Sequence, residues 1–260
     1  FQGPDDDLGL RLYRPLAADN EAPGLIYIHG GGMIMGNLES QDEVLKICAS
    51  ELGMPIASLD YRKAPEHPYP AAPEDCYAGV CWVFEHASDI GMDSHNMGLM
   101  GVSAGGGLAL AAALMLRDRK GPSLKYLVPL CPMIDDRHHT DSSKTVLDIG
   151  VWDREASIEA WNWYLGNSAP DAYAAPARAT DLSGLPPTYI DVGDLDLLGV
   201  EGFEFAVDGV ARICFFFRNA RGLRLAELLR PFVGFRVVWA KGKLGLSLHP
   251  LDLFHVGLKL

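Results

Sequence analysis

Residues 104–118, AGGGLALAAALMLRD, constrain the fold most. Read as a helix, the stretch is apolar or small on nearly every face, so it offers water no side and must be buried. The residues just before it, MGLMGVS (97–103), form a short apolar run interrupted by glycines, which suits a buried strand. The same alternation runs through the chain. LRLYRP (10–15), GLIYIHG (24–30), PIASLDY (55–61), LKYLVPLCPMI (124–134) and PPTYIDVGD (186–194) read as strands. Helices fall between them: NLESQDEVLKICASELG (37–53), with an Asn start and a Gly stop, then EDCYAGVCWVFEHASDIG (74–91) and the amphipathic VWDREASIEAWNWYLG (151–166). Short apolar strands alternating with helices predict an α/β fold, a mostly parallel sheet covered on both faces. Sites in such sheets lie at the carboxyl ends of strands, so the residues after GLIYI, GLMGV and TYIDVGD are the places to look.

Charge sets limits on partners. The net charge is −12, with no excess of Lys and Arg to neutralise phosphates, which argues against nucleic acid. The balance is uneven: residues 1–199 hold 13 Lys and Arg against 29 Asp and Glu, residues 200–260 hold 9 against 5. Cys48, Cys76, Cys81, Cys131 and Cys214 show no metal-ligand spacing and read as buried free thiols. No apolar run reaches the roughly 18 residues of a membrane span, and no secretory leader pattern opens the sequence, so the expected location is cytoplasmic.

Two motifs carry chemistry. Gly101-Val102-Ser103-Ala104-Gly105 is a G-x-S-x-G placed where a strand turns sharply into a helix. Small residues are needed there because the turn leaves no room for side chains, and it lifts Ser103 Oγ into the open as a nucleophile. The second is His29-Gly30-Gly31-Gly32, after GLIYI. Glycines let backbone N–H groups face a ligand, and with the N–H of Ala104 they can hold the oxygen of a tetrahedral intermediate. A phosphate-binding turn is the alternative for a triple glycine, but neither a Lys nor a G-x-G-x-x-G accompanies this one. His29 reads as a residue that orders the loop.

HGGG, GVSAGGG, DYRKAPEHPYPAAPEDCYAG and DLSGLPPTYIDVGDLD together resemble the hormone-sensitive-lipase-like branch of the α/β-hydrolase esterases, over roughly residues 8–200. The resemblance implies the α/β-hydrolase fold, Ser103 as nucleophile, and Gly31, Gly32 and Ala104 as oxyanion donors. It implies a serine carboxylesterase that hydrolyses short-chain acyl esters through an acyl-enzyme, without cofactor or metal. Arg62, Glu66 and the nearby prolines are expected to brace the loop beneath the site.

The triad acid should follow TYIDVGD, where Asp191, Asp194 and Asp196 are candidates. Asp191 lies inside the strand, where a carboxylate is costly unless paired. Asp196 matches the family's acid, although Leu197, Gly199 and Val200 stand where the family has a Pro and an Arg-Asp pair. Asp194 remains an alternative. The base should follow the acid. The family spacing would put it near Ala226, yet no histidine lies between His139 and His249. His249, in HPLDLF, and His255 are the two that follow Asp196, and His249 is the closer echo of the family pattern. The missing histidine at the expected spacing leaves a non-catalytic small-molecule receptor as an alternative on the same fold, and an amide deacetylase as a close variant.

The expected organisation is one domain over 1–260, with a partial lid insertion at about 140–180 and an atypical tail at 200–260. A reduced lid would leave an open, more apolar cleft and favour a homo-oligomer. The expected partner is a small-molecule ester.

Overall fold

A computed structural model describes residues 1–16, 21–147, 152–193 and 196–199, positions 202 and 205, and the backbone of strands 213–217, 237–240 and 243–246. The elements in chain order are β1 (Leu10–Tyr13), β2 (Ala22–Ile28), α1 (Asp42–Leu52), β3 (Ile56–Leu59), α2 (Ala71–Glu85), β4 (Met92–Val102), α3 (Ala104–Asp118) and β5 (Tyr126–Leu130). Then follow α4 (Asp141–Thr145), α5 (Arg154–Leu165), β6 (Tyr189–Gly193), β7 (Ile213–Phe217), β8 (Val237–Ala240) and β9 (Lys243–Leu246). Seven strands form one sheet in the order β1-β3-β2-β4-β5-β6-β7, and β8 and β9 form an antiparallel ribbon. Only β1 runs antiparallel within the large sheet.

Strand periodicity sorts the core into two layers. Leu25, Tyr27, Met100, Val128 and Tyr189 face one side, where α1 covers them with Leu45, Cys48 and Ala49. Ile26, Ile28, Met97, Leu99, Leu127, Ile190 and Val192 face the other, against α2, α3 and α5. Each fully buried Leu or Ile contributes about 1.5–3 kcal/mol. Helix α3 is buried at every position from Ala104 to Leu116, as its all-round apolar sequence requires, with the sheet on one side and α2 packed against it.

Several elements differ from the sequence reading at their ends. β4 starts at Met92, five residues before the apolar run, because Ala22 pairs with Met92 across a register shift. β5 stops at Leu130, since Pro132 lacks a backbone N–H. Helix α2 starts at Ala71, inside the Pro-rich stretch. Strand β7 and the short α4 were not expected. FRVVWAKG reads as the last strand of the sheet; it contains β8, which pairs instead with β9 in the separate ribbon. No helix among the described residues is long and apolar enough to cross a membrane.

The Pro-rich connection is braced by a different pair from the expected one. Asp75 is fully buried, and Arg62 donates to it from Nε (2.9 Å), Nη2 (2.7 Å) and its backbone N–H (2.9 Å). Glu66 is exposed and makes no hydrogen bond among the described residues, because the guanidinium is already engaged by Asp75 and by Asp5 (2.6 Å). Cys48 and Cys76 are buried free thiols, whereas Cys81 and Cys131 are only half-buried, and the side chain of Cys214 lies outside the described residues.

Candidate active site

The sheet brings four chain segments to one edge. Ile28, at the end of β2, is in register with Gly101, Val102 with Leu130, and Leu130 with Asp191. The glycine loop, the turn into α3, Cys131 and the turn after β6 therefore emerge side by side.

Ser103 sits at the N-cap of α3 with φ 56° and ψ −120°, a backbone conformation that L-residues rarely adopt. The turn is held by Ser103 N–H donating to Leu130 O (2.8 Å) and by Ser103 O accepting from Gly107 N–H (3.1 Å) and Met133 N–H (3.0 Å). The glycines two residues to either side have no room for side chains. A Cβ on Gly101 would lie 2.0 Å from Gly105 O, and one on Gly105 would lie 2.2 Å from Ile28 O. The G-x-S-x-G pattern is thus the steric signature of the turn. Ser103 itself is half-buried.

The glycine loop faces this serine. A Cβ on Gly30 would stand 3.4 Å from Ser103 Cβ. Gly31 and Gly32 have φ of 120° and 61°, and Gly31 O accepts the N–H groups of Ile34 (3.0 Å) and Met35 (2.9 Å), closing the loop on itself. The N–H groups of Gly31, Gly32 and Ala104 have no backbone acceptor among the described residues. They remain available to an incoming oxygen at the N-terminus of a 15-residue helix, whose dipole favours negative charge.

His29 is anchored as a strut. It is 1% exposed, its Nδ1 lies 2.8 Å from Gly30 O, and its ring stacks on Tyr61 at 4.4 Å. Tyr61 OH donates back to His29 O (3.1 Å). Asp60 completes the support beneath the ring. Burial pushes its carboxyl up, but His29 and Lys63, whose Nζ is 2.7 Å away, outweigh that and hold it at about 2.

On the other side of Ser103 stands the turn after β6. Asp196 N–H donates to Gly193 O (3.1 Å), and Asp196 Oδ1 accepts the N–H of Leu198 (3.0 Å). The turn is tied down by the buried Leu197 and Leu198 and by Ser142 Oγ donating to Leu197 O (2.9 Å). Cys131 connects this turn to the serine. Burial pushes its thiol up to about 12; the charges of Asp196 and Asp191 act in the same direction, and the Ser103 N–H opposes them. Asp191 lies within β6, where burial raises its carboxyl above the usual range. Asp194, His249 and His255 lie outside the described residues. No cluster of metal-ligating side chains occurs among the described residues.

The sequence reading missed Trp152, Asp75, Asp60 and Cys131 as contributors. A Trp opening an amphipathic helix and an Asp within another look like ordinary packing and surface residues. Only their tertiary partners distinguish them.

A strand-turn-helix serine facing a glycine loop at the carboxyl edge of a parallel sheet defines a hydrolase-type site. The chain belongs to the α/β-hydrolase fold family, whose model matches residues 25–208, in its hormone-sensitive-lipase-like branch. It is 36% identical over 210 residues to esterase LipI of Mycobacterium tuberculosis, covering 79% of this chain and 66% of that relative. It is 41% identical over 113 residues to bovine hormone-sensitive lipase, covering 44% of this chain and 15% of the lipase. Among solved structures it superposes on a bacterial heroin esterase with a TM-score of 0.79 and 38% identity, covering 83% of this chain and 72% of that one. The chain thus spans less than two thirds of the curated relatives named here.

Proposed function

We propose that this chain is a serine carboxylesterase that hydrolyses short-chain acyl esters through an acyl-enzyme. The observation that carries this reading is the strained Ser103 turn set against three backbone N–H groups that have no backbone acceptor among the described residues. In this mechanism Ser103 Oγ attacks the ester carbonyl carbon and its proton passes to an imidazole, for which His249 is the candidate and His255 the alternative. Asp196 orients that imidazole and stabilises its positive form. The carbonyl oxygen becomes an oxyanion held by the N–H groups of Gly31, Gly32 and Ala104, where one donor is worth about 3–4 kcal/mol in the transition state. Collapse expels the alcohol, which takes the proton from the imidazole. Water then attacks the acyl-enzyme with the same base, releasing the acid and restoring Ser103.

The chemistry asks for no cofactor and a small-molecule ester as partner. The short acyl chain is supported by the resemblance. The organisation that accompanies this reading is one domain, with the α4–α5 segment as a partial lid. In Ser103→Ala, hydrolysis of p-nitrophenyl butyrate should fall by about ten-thousandfold or more. A variant that keeps the wild-type rate contradicts the assignment.

A further inference from the structure

The glycine loop has a neighbour that the catalytic roles leave unused. The far edge of the Trp152 indole lies directly on Gly32: a Cβ there would meet Trp152 Cη2 at 2.2 Å, Cζ2 at 2.9 Å and Cζ3 at 3.1 Å. Trp152 does not hang from a free loop. Asp153 caps α5 by accepting the N–H of Ala156 on Oδ1 (2.9 Å). Arg154 fastens the same turn to the segment before it. Its Nη1 donates to Ser143 O (2.6 Å) and His138 O (3.1 Å), and its backbone N–H to Val146 O (3.2 Å). Trp152 Nε1 is buried with no partner among the described residues, so packing rather than a hydrogen bond sets the ring's place.

Sheet order says which part of a substrate meets this ring. The strand carrying Ser103, β4, stands between β2, which leads into the glycine loop, and β5–β6, which lead to Cys131 and Asp196. The leaving alcohol must take its proton from the base, which the acid orients, so it departs on the β5–β6 side. The oxyanion points at the glycine N–H groups. The remaining substituent of the tetrahedral carbon, the acyl chain, is left on the side of the glycine loop, where Trp152 is packed.

We propose that Trp152 is a specificity-determining residue, the wall that limits the length of the acyl chain beside the oxyanion donors. The inference rests on the esterase reading above and deepens it. An apolar wall discriminates by the space it leaves, and filling or vacating room for a methylene changes relative rates by about tenfold or more.

The test uses p-nitrophenyl esters from acetate to octanoate, so that the leaving group stays constant, with wild type, Trp152→Phe, Trp152→Leu and Trp152→Ala. The octanoate-to-acetate ratio of kcat/KM should rise by about tenfold or more in Trp152→Ala and less in Trp152→Leu. It should stay within about threefold of wild type in Trp152→Phe, which keeps a ring in place. If Trp152→Ala does not fold, Trp152→Leu carries the test, because it retains apolar contact with Gly32 while shortening the wall. A ratio that does not move, in variants still labelled at Ser103 by a fluorophosphonate, overturns the role of Trp152 and leaves the esterase reading intact. Uniform loss on all esters also overturns it, since that is what a purely structural ring would give. A wild type that neither hydrolyses esters nor is labelled overturns the esterase reading, and this inference with it.

Discussion

The two halves of the site are built by different physics. The Ser103 turn and the glycine loop are fixed by backbone sterics: φ of 56° at Ser103, no space for Cβ atoms at Gly101 and Gly105, positive φ at Gly31 and Gly32. The proposed acid side is fixed by a turn after β6, with Asp196 held by hydrogen bonds to Gly193 and Leu198. A half built on missing side chains tolerates almost no substitution. A half built on one carboxylate in a turn should lose its chemistry while keeping its fold.

Variants can break or sharpen that contrast. The largest expected effect is Gly105→Ala, which drives a methyl group to 2.2 Å from Ile28 O and 2.4 Å from His29 O, both of them backbone atoms. The turn and the end of β2 cannot both remain, and a loss of about 4 kcal/mol or more is expected, read as lost soluble protein or a collapsed thermal transition. A melting temperature unchanged from wild type would show that the turn yields more easily than its packing implies.

Asp196→Asn should behave in the opposite way: a thermal transition near that of wild type and kcat lower by about ten-thousandfold, because the imidazole loses its orientation and charge partner. Asp191→Asn, made in parallel, should leave kcat far less affected. Were the two effects reversed, the acid would be the strand residue and the contrast would fail.

The smallest effect concerns the support beneath the glycine loop. Asp60 is held at about 2, below its unfolded value near 3.9, so its ionised form adds stability. The sign for a depressed carboxylate is that this contribution is complete above about pH 4–5 and fades as pH falls toward 2. The difference in melting temperature between wild type and Asp60→Asn should therefore be flat from pH 8 to pH 5 and shrink below pH 4. A difference that grows on acidification would contradict the anchoring role.

The steric half was legible in the sequence because its constraints are written as residue types: a glycine where no Cβ fits, an apolar residue at every face of α3. The sheet was legible for the same reason, through runs such as GLIYI and TYIDV. What was not legible depends on contacts between distant positions. Asp75 reads as one more polar residue in α2 until Arg62 is seen to close on it. Trp152 reads as the start of an amphipathic helix until its ring is found on Gly32. β7, ICFFF, lies where the family motifs have thinned, and an apolar run alone does not separate a strand from buried helix.

The central claim is that Ser103 is an activated nucleophile, and covalent labelling tests it most directly. Treating the folded chain with a fluorophosphonate and mapping the modified peptide by mass spectrometry should give one adduct, on Ser103, that Ser103→Ala abolishes. A folded chain that takes up no label, or takes it elsewhere while Ser103 stays unmodified, would contradict the account.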